Sequence, residues 1–297
     1  HRDARCGLML REFIDGIPLD LAARLLPGRT RFNPGLSAHV HLHAGAQRRA
    51  GNDPLPEAGA AKKERRISET GQRALLDSLR RTVDSLRWKP SSHWSAYASA
   101  TSYSEPATAS KAEIVRAMLA EAGGRTAWDL GANTGVYSAL AADAGYRVVA
   151  WDQDAASVEA HWLRVRGDGK PSILPLILDL ANPSPSIGWA LEERSSFLER
   201  GEPDAIIALA LVHHLAIGNN VPLPGVARLF ARMAPRAIVE FVPKDDPMTR
   251  RLLAARRDIF ENYTIDGFRE AFGGPFRILR ETPVADSPRT LFLLARR

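Results

Sequence analysis

Cysteine is nearly absent: Cys6 is the only one in 297 residues. A single thiol excludes an intrachain disulfide and a cysteine-based zinc site within one chain. It suits a reducing compartment, and with no secretory pattern at the front the expected location is the cytoplasm. Long apolar runs are missing as well. None reaches the roughly 20 residues that span a bilayer, so no membrane span is expected. No internal repeat is visible. The chain opens on His1 rather than Met, and reads as the continuation of an upstream region.

What is present is the composition of a globular protein, 45% hydrophobic and 25% charged. The net charge of +6 is uneven: residues 1–110 carry 17 Lys+Arg against 11 Asp+Glu, and residues 111–297 carry 23 against 23. A basic region can steer toward nucleic acid. Here the excess runs through linker-like sequence such as "KKERR" (62–66), and a solvated face is the simpler reading, so nucleic acid is not an expected partner.

The front reads as a helical segment over 1–50, with Pro18 opening and Pro27-Gly28 closing one helix, and Asn33-Pro34-Gly35 turning into a second. Residues 51–66 read as a linker. Residues 67–110 hold a helix over about 68–88, whose Leu75, Leu79, Val83 and Leu86 form a stripe that should dock on something, and a Ser/Ala/Thr-rich connection. Within "HVHLH" (39–43) two histidines share a face in either secondary structure, but no acid or cysteine completes a metal set, and no metal is expected.

From 111 to 297 short apolar runs alternate with helical patterns. Strands are expected at "TAWDL", "RVVAWD", "SILPLILD", "DAIIALALV" and "RAIVEFV", with helices between them, including one over "IGWALEERSSFLER". "FRILRETPV" and "TLFLLARR" read as a final antiparallel pair. This predicts an α/β, doubly wound, mostly parallel seven-stranded sheet with an N-terminal helical extension.

The first of these strands runs into Asp129-x-Gly131-x-Asn133-x-Gly135. A dinucleotide site would want G-x-G-x-x-G, and an acid beside the turn repels phosphate, so a cationic, phosphate-free ligand fits better. Gly131 permits the tight turn, Asn133 tolerates positive φ, and Gly135 lets the next helix approach. Asp152 ends the second strand, where an acid can accept two ribose hydroxyls. Asp179 ends the third, at the adenine side of such a ligand. A lone strand-end Asp is usually a cap or turn former; three with a glycine turn favour a nucleoside.

These stretches resemble the class I S-adenosylmethionine-dependent methyltransferases: "WDLGANTG" their first motif, "VVAWDQD" their ribose motif, "LILDL" their adenine-side motif. The resemblance implies S-adenosylmethionine as cofactor, held by Asp129, Gly131, Ala132, Asn133, Gly135, Asp152, Gln153, Asp179 and Leu180, and a last strand inserted beside the fifth. Longer stretches, "REFIDGIPLDLAARLLPGRTRFNPG", "ALALVHHLAIGNNVPL" and "IVEFVPKDDPMTRRLLAARRDIFENYT", resemble the NoeA-related nodulation proteins, in which an upstream region precedes the first segment. A link to decoration of a signalling oligosaccharide is implied by that name alone.

Methyl transfer to oxygen needs a base. After the fourth strand stand His213 and His214, expected to point opposite ways in an extended chain. Glu240 lies within the apolar fifth strand, where it must be paired or used. It can position a substrate hydroxyl or pair with a cation. Lys244, Asp245 and Asp246 read as solvated loop charges. The Asn/Asp-Pro-Pro-Tyr/Phe sequence that marks related amide and base-nitrogen methyltransferases is missing. O-methylation of a small molecule or saccharide is therefore the leading expectation. An RNA or protein methyltransferase and a non-catalytic cofactor-binding module are the alternatives.

Overall fold

The structure, a computed structural model, describes residues 4–52, 67–88, 104–254 and 256–297. It divides into two units, His1–Lys89 and Pro90–Arg297. The expected linker, from residue 53 on, lies outside the described residues, as does the connection over 89–103.

In the first unit, α1 (Leu19–Leu25) follows Pro18 and stops before Pro27. Asn33 caps α2 (Pro34–Leu36), its Oδ1 accepting from the Leu36 N–H at 3.0 Å. The chain then continues through a π turn, Ser37–Leu42, into α3 (His43–Asn52). Two of the three clustered histidines meet hydroxyls: His39 Nε2 lies 2.9 Å from Ser78 Oγ and His41 Nε2 2.8 Å from Thr30 Oγ1. Ser68 caps α4 (Glu69–Ser85). The α4 stripe, Leu75, Leu79, Val83 and Leu86, stays exposed.

The second unit opens with α5 (Glu105–Ala122), capped by Ser104. There follow β1 (Thr126–Leu130), α6 (Val136–Asp143), β2 (Arg147–Asp152), α7 (Ala155–Asp168), β3 (Ile173–Ile177) and β4 (Ala205–Ala208). Then come α8 (Leu223–Met233), β5 (Arg236–Phe241), α9 (Pro247–Ala254), α10 (Ile265–Gly273), β6 (Phe276–Pro283) and β7 (Thr290–Arg296). The sheet order is β3-β2-β1-β4-β5-β7-β6. β7 is antiparallel to both β5 and β6, and the other neighbours are parallel. This is the expected seven-stranded, mostly parallel, doubly wound sheet, with its last strand beside the fifth.

The strands are apolar on both faces because both are covered. Ile206, Val239 and Phe292 face a core with Phe230 of α8 and Phe268 and Phe272 of α10. Ile207, Ile238 and Leu291 face the other core, with Val115, Met118 and Leu119 of α5 and Ala141 of α6. Period-two alternation sends neighbours to opposite layers.

Two expectations are corrected. "IGWALEERSSFLER" is not a helix: Ile187 and Arg194 form an antiparallel bridge, and only single 3-10 turns form at Trp189–Leu191 and Phe197–Glu199. Gly188, Ala190 and Leu191 have positive φ (89°, 52° and 63°), and Trp189 is 84% exposed. A helix would need a buried stripe there, and only Phe197 is buried. β4 stops at Ala208 rather than near Val212, because the Ala210 N–H leaves the ladder and donates to Glu240 Oε2 at 2.6 Å.

Candidate functional site

The turn after β1 is built on backbone geometry that few residues tolerate. Gly131 has φ 75°, and the N–H groups of Gly131 and Ala132 both donate to the Trp151 carbonyl, at 2.8 and 3.0 Å. That locks the turn to the end of β2. Asn133 holds φ 49°, as expected of a residue standing where glycine is common, and its N–H donates to Asp152 Oδ2 at 2.7 Å. Asp152 Oδ1 accepts from Asp154 N at 2.8 Å, so two backbone donors aim this carboxylate. Burial raises its pKa, opposed by those donors. Asp129 is buried, accepts from Ser138 Oγ at 2.6 Å, and is pushed up to about 6, chiefly by burial.

All of these open onto one cleft of about 410 Å³ at the carboxyl ends of the strands. Asp129, Gly131, Ala132, Asn133, Asp152, Gln153, Asp179, Leu180, His213 and His214 line it. The cleft sits where strand order reverses around β1 and β4, the place where doubly wound sheets bind ligands. Asp179 lies beyond the end of β3, not on it, and Oδ1 accepts from Ala181 N at 2.9 Å in a local turn.

Gly135 and Glu240 do not line the cleft. Gly135, at φ 80°, faces His161 of α7: a Cβ there would stand 2.0 Å from the imidazole. The glycine thus admits a neighbouring helix rather than bringing its own helix to the sheet. Glu240 is fully buried behind the wall. Of its two open roles, pairing is the one realised. Oε2 accepts from Lys111 Nζ at 2.8 Å as well as from Ala210 N, and Oε1 lies 3.7 Å from Arg289 Nη1.

His213 and His214 do not point opposite ways. They sit at the start of a helical turn (His214–Gly218), with ring centroids 4.1 Å apart. His213 is 1% exposed and its Nδ1 has no hydrogen-bond partner among the described residues. Burial holds its pKa well below the usual value, reinforced by His214, Arg289 and Lys111; burial lowers that of His214 too. Both rings are neutral near pH 7, the form able to take a proton.

Sequence reasoning missed the cations. Lys111 and Arg289 line the cleft, at 2% and 3% exposure. Arg289 grips Asp246 through two nitrogens, Nε at 2.7 Å and Nη2 at 3.1 Å. Asp246 is therefore buried, not a solvated loop charge, and its Oδ1 also accepts from Met248 N at 2.9 Å at the start of α9. Asp245 is exposed, and Lys244 pairs with Asp258 at 2.8 Å. The one available signal was Glu240, since a carboxylate in an apolar strand requires a buried cation.

No family model matches the chain. It is 35% identical over 289 residues to nodulation protein NoeA of Rhizobium meliloti (strain 1021), an alignment covering 96% of this chain and 60% of that protein. Over that stretch the chain is similar to NoeA. It spans less than two thirds of NoeA's length. Among solved structures, magnesium protoporphyrin IX methyltransferase (ChlM) from Synechocystis PCC 6803, with bound SAM, aligns with TM-score 0.44 and 17% identity, over 71% of this chain and 87% of that one. WbdD aligns with TM-score 0.45 and 16% identity, over 73% and 46%. Among the described residues no helix is long and apolar enough to cross a membrane, and no three His, Cys, Asp or Glu side chains are grouped to hold a metal ion.

Proposed function

We propose that this chain is an S-adenosylmethionine-dependent methyltransferase acting on oxygen of a small molecule or saccharide. The observation that carries the reading is the convergence of Asp129 and Asp152, from the ends of β1 and β2, and Asp179, from the turn after β3, on one cleft beside a neutral histidine pair. The donor set suits the cofactor. Asp152 offers carboxylate lone pairs to vicinal ribose hydroxyls. Asp129 gives a carboxylate for the ammonium of the amino-acid end, beside the Gly131–Ala132 turn. Asp179 and Leu180 border the adenine.

The cofactor supplies an electrophilic methyl carbon on a sulfonium. The chain's own work is alignment and proton removal. His213 lines the cleft wall as a neutral imidazole. It takes the acceptor hydroxyl's proton, with His214 beside it as the second candidate base. Glu240 acts indirectly, by holding Lys111 and the Ala210 turn that presents the histidines.

Calorimetry of S-adenosylmethionine and its demethylated product on the native chain and on Asp152→Ala tests this. Micromolar binding is expected, weakened by about 1–3 kcal/mol in the variant, the cost of a lost charged hydrogen-bond partner. A folded native chain that binds neither compound sinks the proposal.

A further inference from the structure

A second hollow shares two chain segments with the cleft. It is lined by Gly218, Asn220, Arg251, Leu252, Arg256 and Arg257, with Ile259 and Phe260 at its edge. Two segments run through both sites. Asn219 lines the cleft while Gly218 and Asn220 line the hollow. On α9, Met248 lines the cleft while Arg251 and Leu252, three and four residues on and so on the same face, line the hollow.

The three arginines differ in their work. Arg256 is committed: it donates to the Ile217 and Gly218 carbonyls and to Asn220 Oδ1, bracing the segment shared by both sites. Arg251 and Arg257 are exposed, and neither is paired with a carboxylate among the described residues. The neighbouring Asp258 has both oxygens on Lys244, at 2.9 and 2.8 Å, and so does not neutralise them. Ile259, 66% exposed, adds an apolar edge. Uncompensated guanidiniums beside a cleft attract an anion and fit planar oxyanions best.

We infer that the methyl acceptor is an anionic saccharide or small molecule, whose phosphate, sulfate or carboxylate docks on Arg251 and Arg257 while the reacting hydroxyl enters the cleft at His213. This rests on the methyltransferase reading and goes further, by naming the acceptor's charge. The basic surface lies within the second unit, beside the site, and not in the front third where the excess positive charge of the sequence is found.

The test uses the 1–297 chain saturated with S-adenosylhomocysteine, titrated with glucose, glucose 6-phosphate, glucose 6-sulfate and glucuronate. At least one anionic sugar should bind about fivefold or more tightly than glucose, the discrimination two partly exposed charge pairs supply. Arg251→Gln/Arg257→Gln should abolish that difference, with S-adenosylhomocysteine affinity as the control for an intact fold. The sugar that binds best identifies the group. The inference is overturned if all four sugars bind alike or not at all, or if the preference survives the double substitution. It is also overturned if a short single-stranded RNA displaces the sugars with a steep salt dependence that the substitution removes, which marks a polymer surface. A folded chain that fails to bind S-adenosylhomocysteine takes the methyltransferase reading down first, and this inference with it.

Discussion

Gly135 sits under two separate constraints. Its φ of 80° costs a residue with Cβ about 1–3 kcal/mol. The added atom would also meet the His161 ring, which is buried on α7. Gly135→Ala should therefore destabilise by more than the dihedral cost alone. The two terms separate in a double-mutant cycle with His161→Ala, which clears the space but leaves φ unchanged. Denaturant unfolding of the four proteins is the measurement. A cycle with no coupling would mean that the helix moves freely and the close approach is unimportant. The glycine was legible in the sequence as part of a motif, as were Gly131, Asn133 and Asp152. Its partner was not, because the motif carries no information on which helix packs there.

At the level of elements, four buried charges tie the sheet to the helices around the cleft. Lys111 is on α5, Glu240 on β5, Arg289 just before β7 and Asp246 just before α9. Removing one member strands another without its charge partner, at about 3–5 kcal/mol. Lys111→Met is expected to fall in that range. Lys111→Met/Glu240→Gln should recover much of the loss, since the neutral amide still accepts from Ala210 N. A single variant that loses less than about 1 kcal/mol would show that water or Arg289 takes over the role of Lys111. The strands of this layer were readable because covered parallel strands are apolar throughout. The 187–200 segment was misread because its apolar residues alone looked helical, while Ile187, Trp189 and Leu191 in fact recur every second position. The end of β4 depended on a side chain thirty residues away, Glu240, and no local pattern records that.

Across the whole molecule, the buried titratable groups give stability a pH dependence in which each group's sign follows from its shift. His161 is pushed down to about 4 by burial, and His213 and His214 are lowered as well. In the unfolded chain all three protonate near pH 6.5. As pH falls below that value the unfolded state gains protons that the folded state refuses, so stability declines, and for His161 the decline runs on to about pH 4. Asp129 acts the other way. Its folded pKa of about 6 exceeds the unfolded value of 3.8, so it favours the folded state as pH drops through that interval. Below about 6 Asp129 offsets part of the loss, and Asp152, also raised by burial, acts in the same direction. Denaturant midpoints taken from pH 7.5 down to pH 5 should therefore fall, and His161→Gln, which keeps an uncharged polar side chain, should flatten the curve whatever its effect at pH 7.5. An NMR titration that finds the His161 ring titrating near 6.5 in the folded native chain would remove the cause, and an unchanged slope in the variant would move the acid sensitivity to the histidine pair in the cleft.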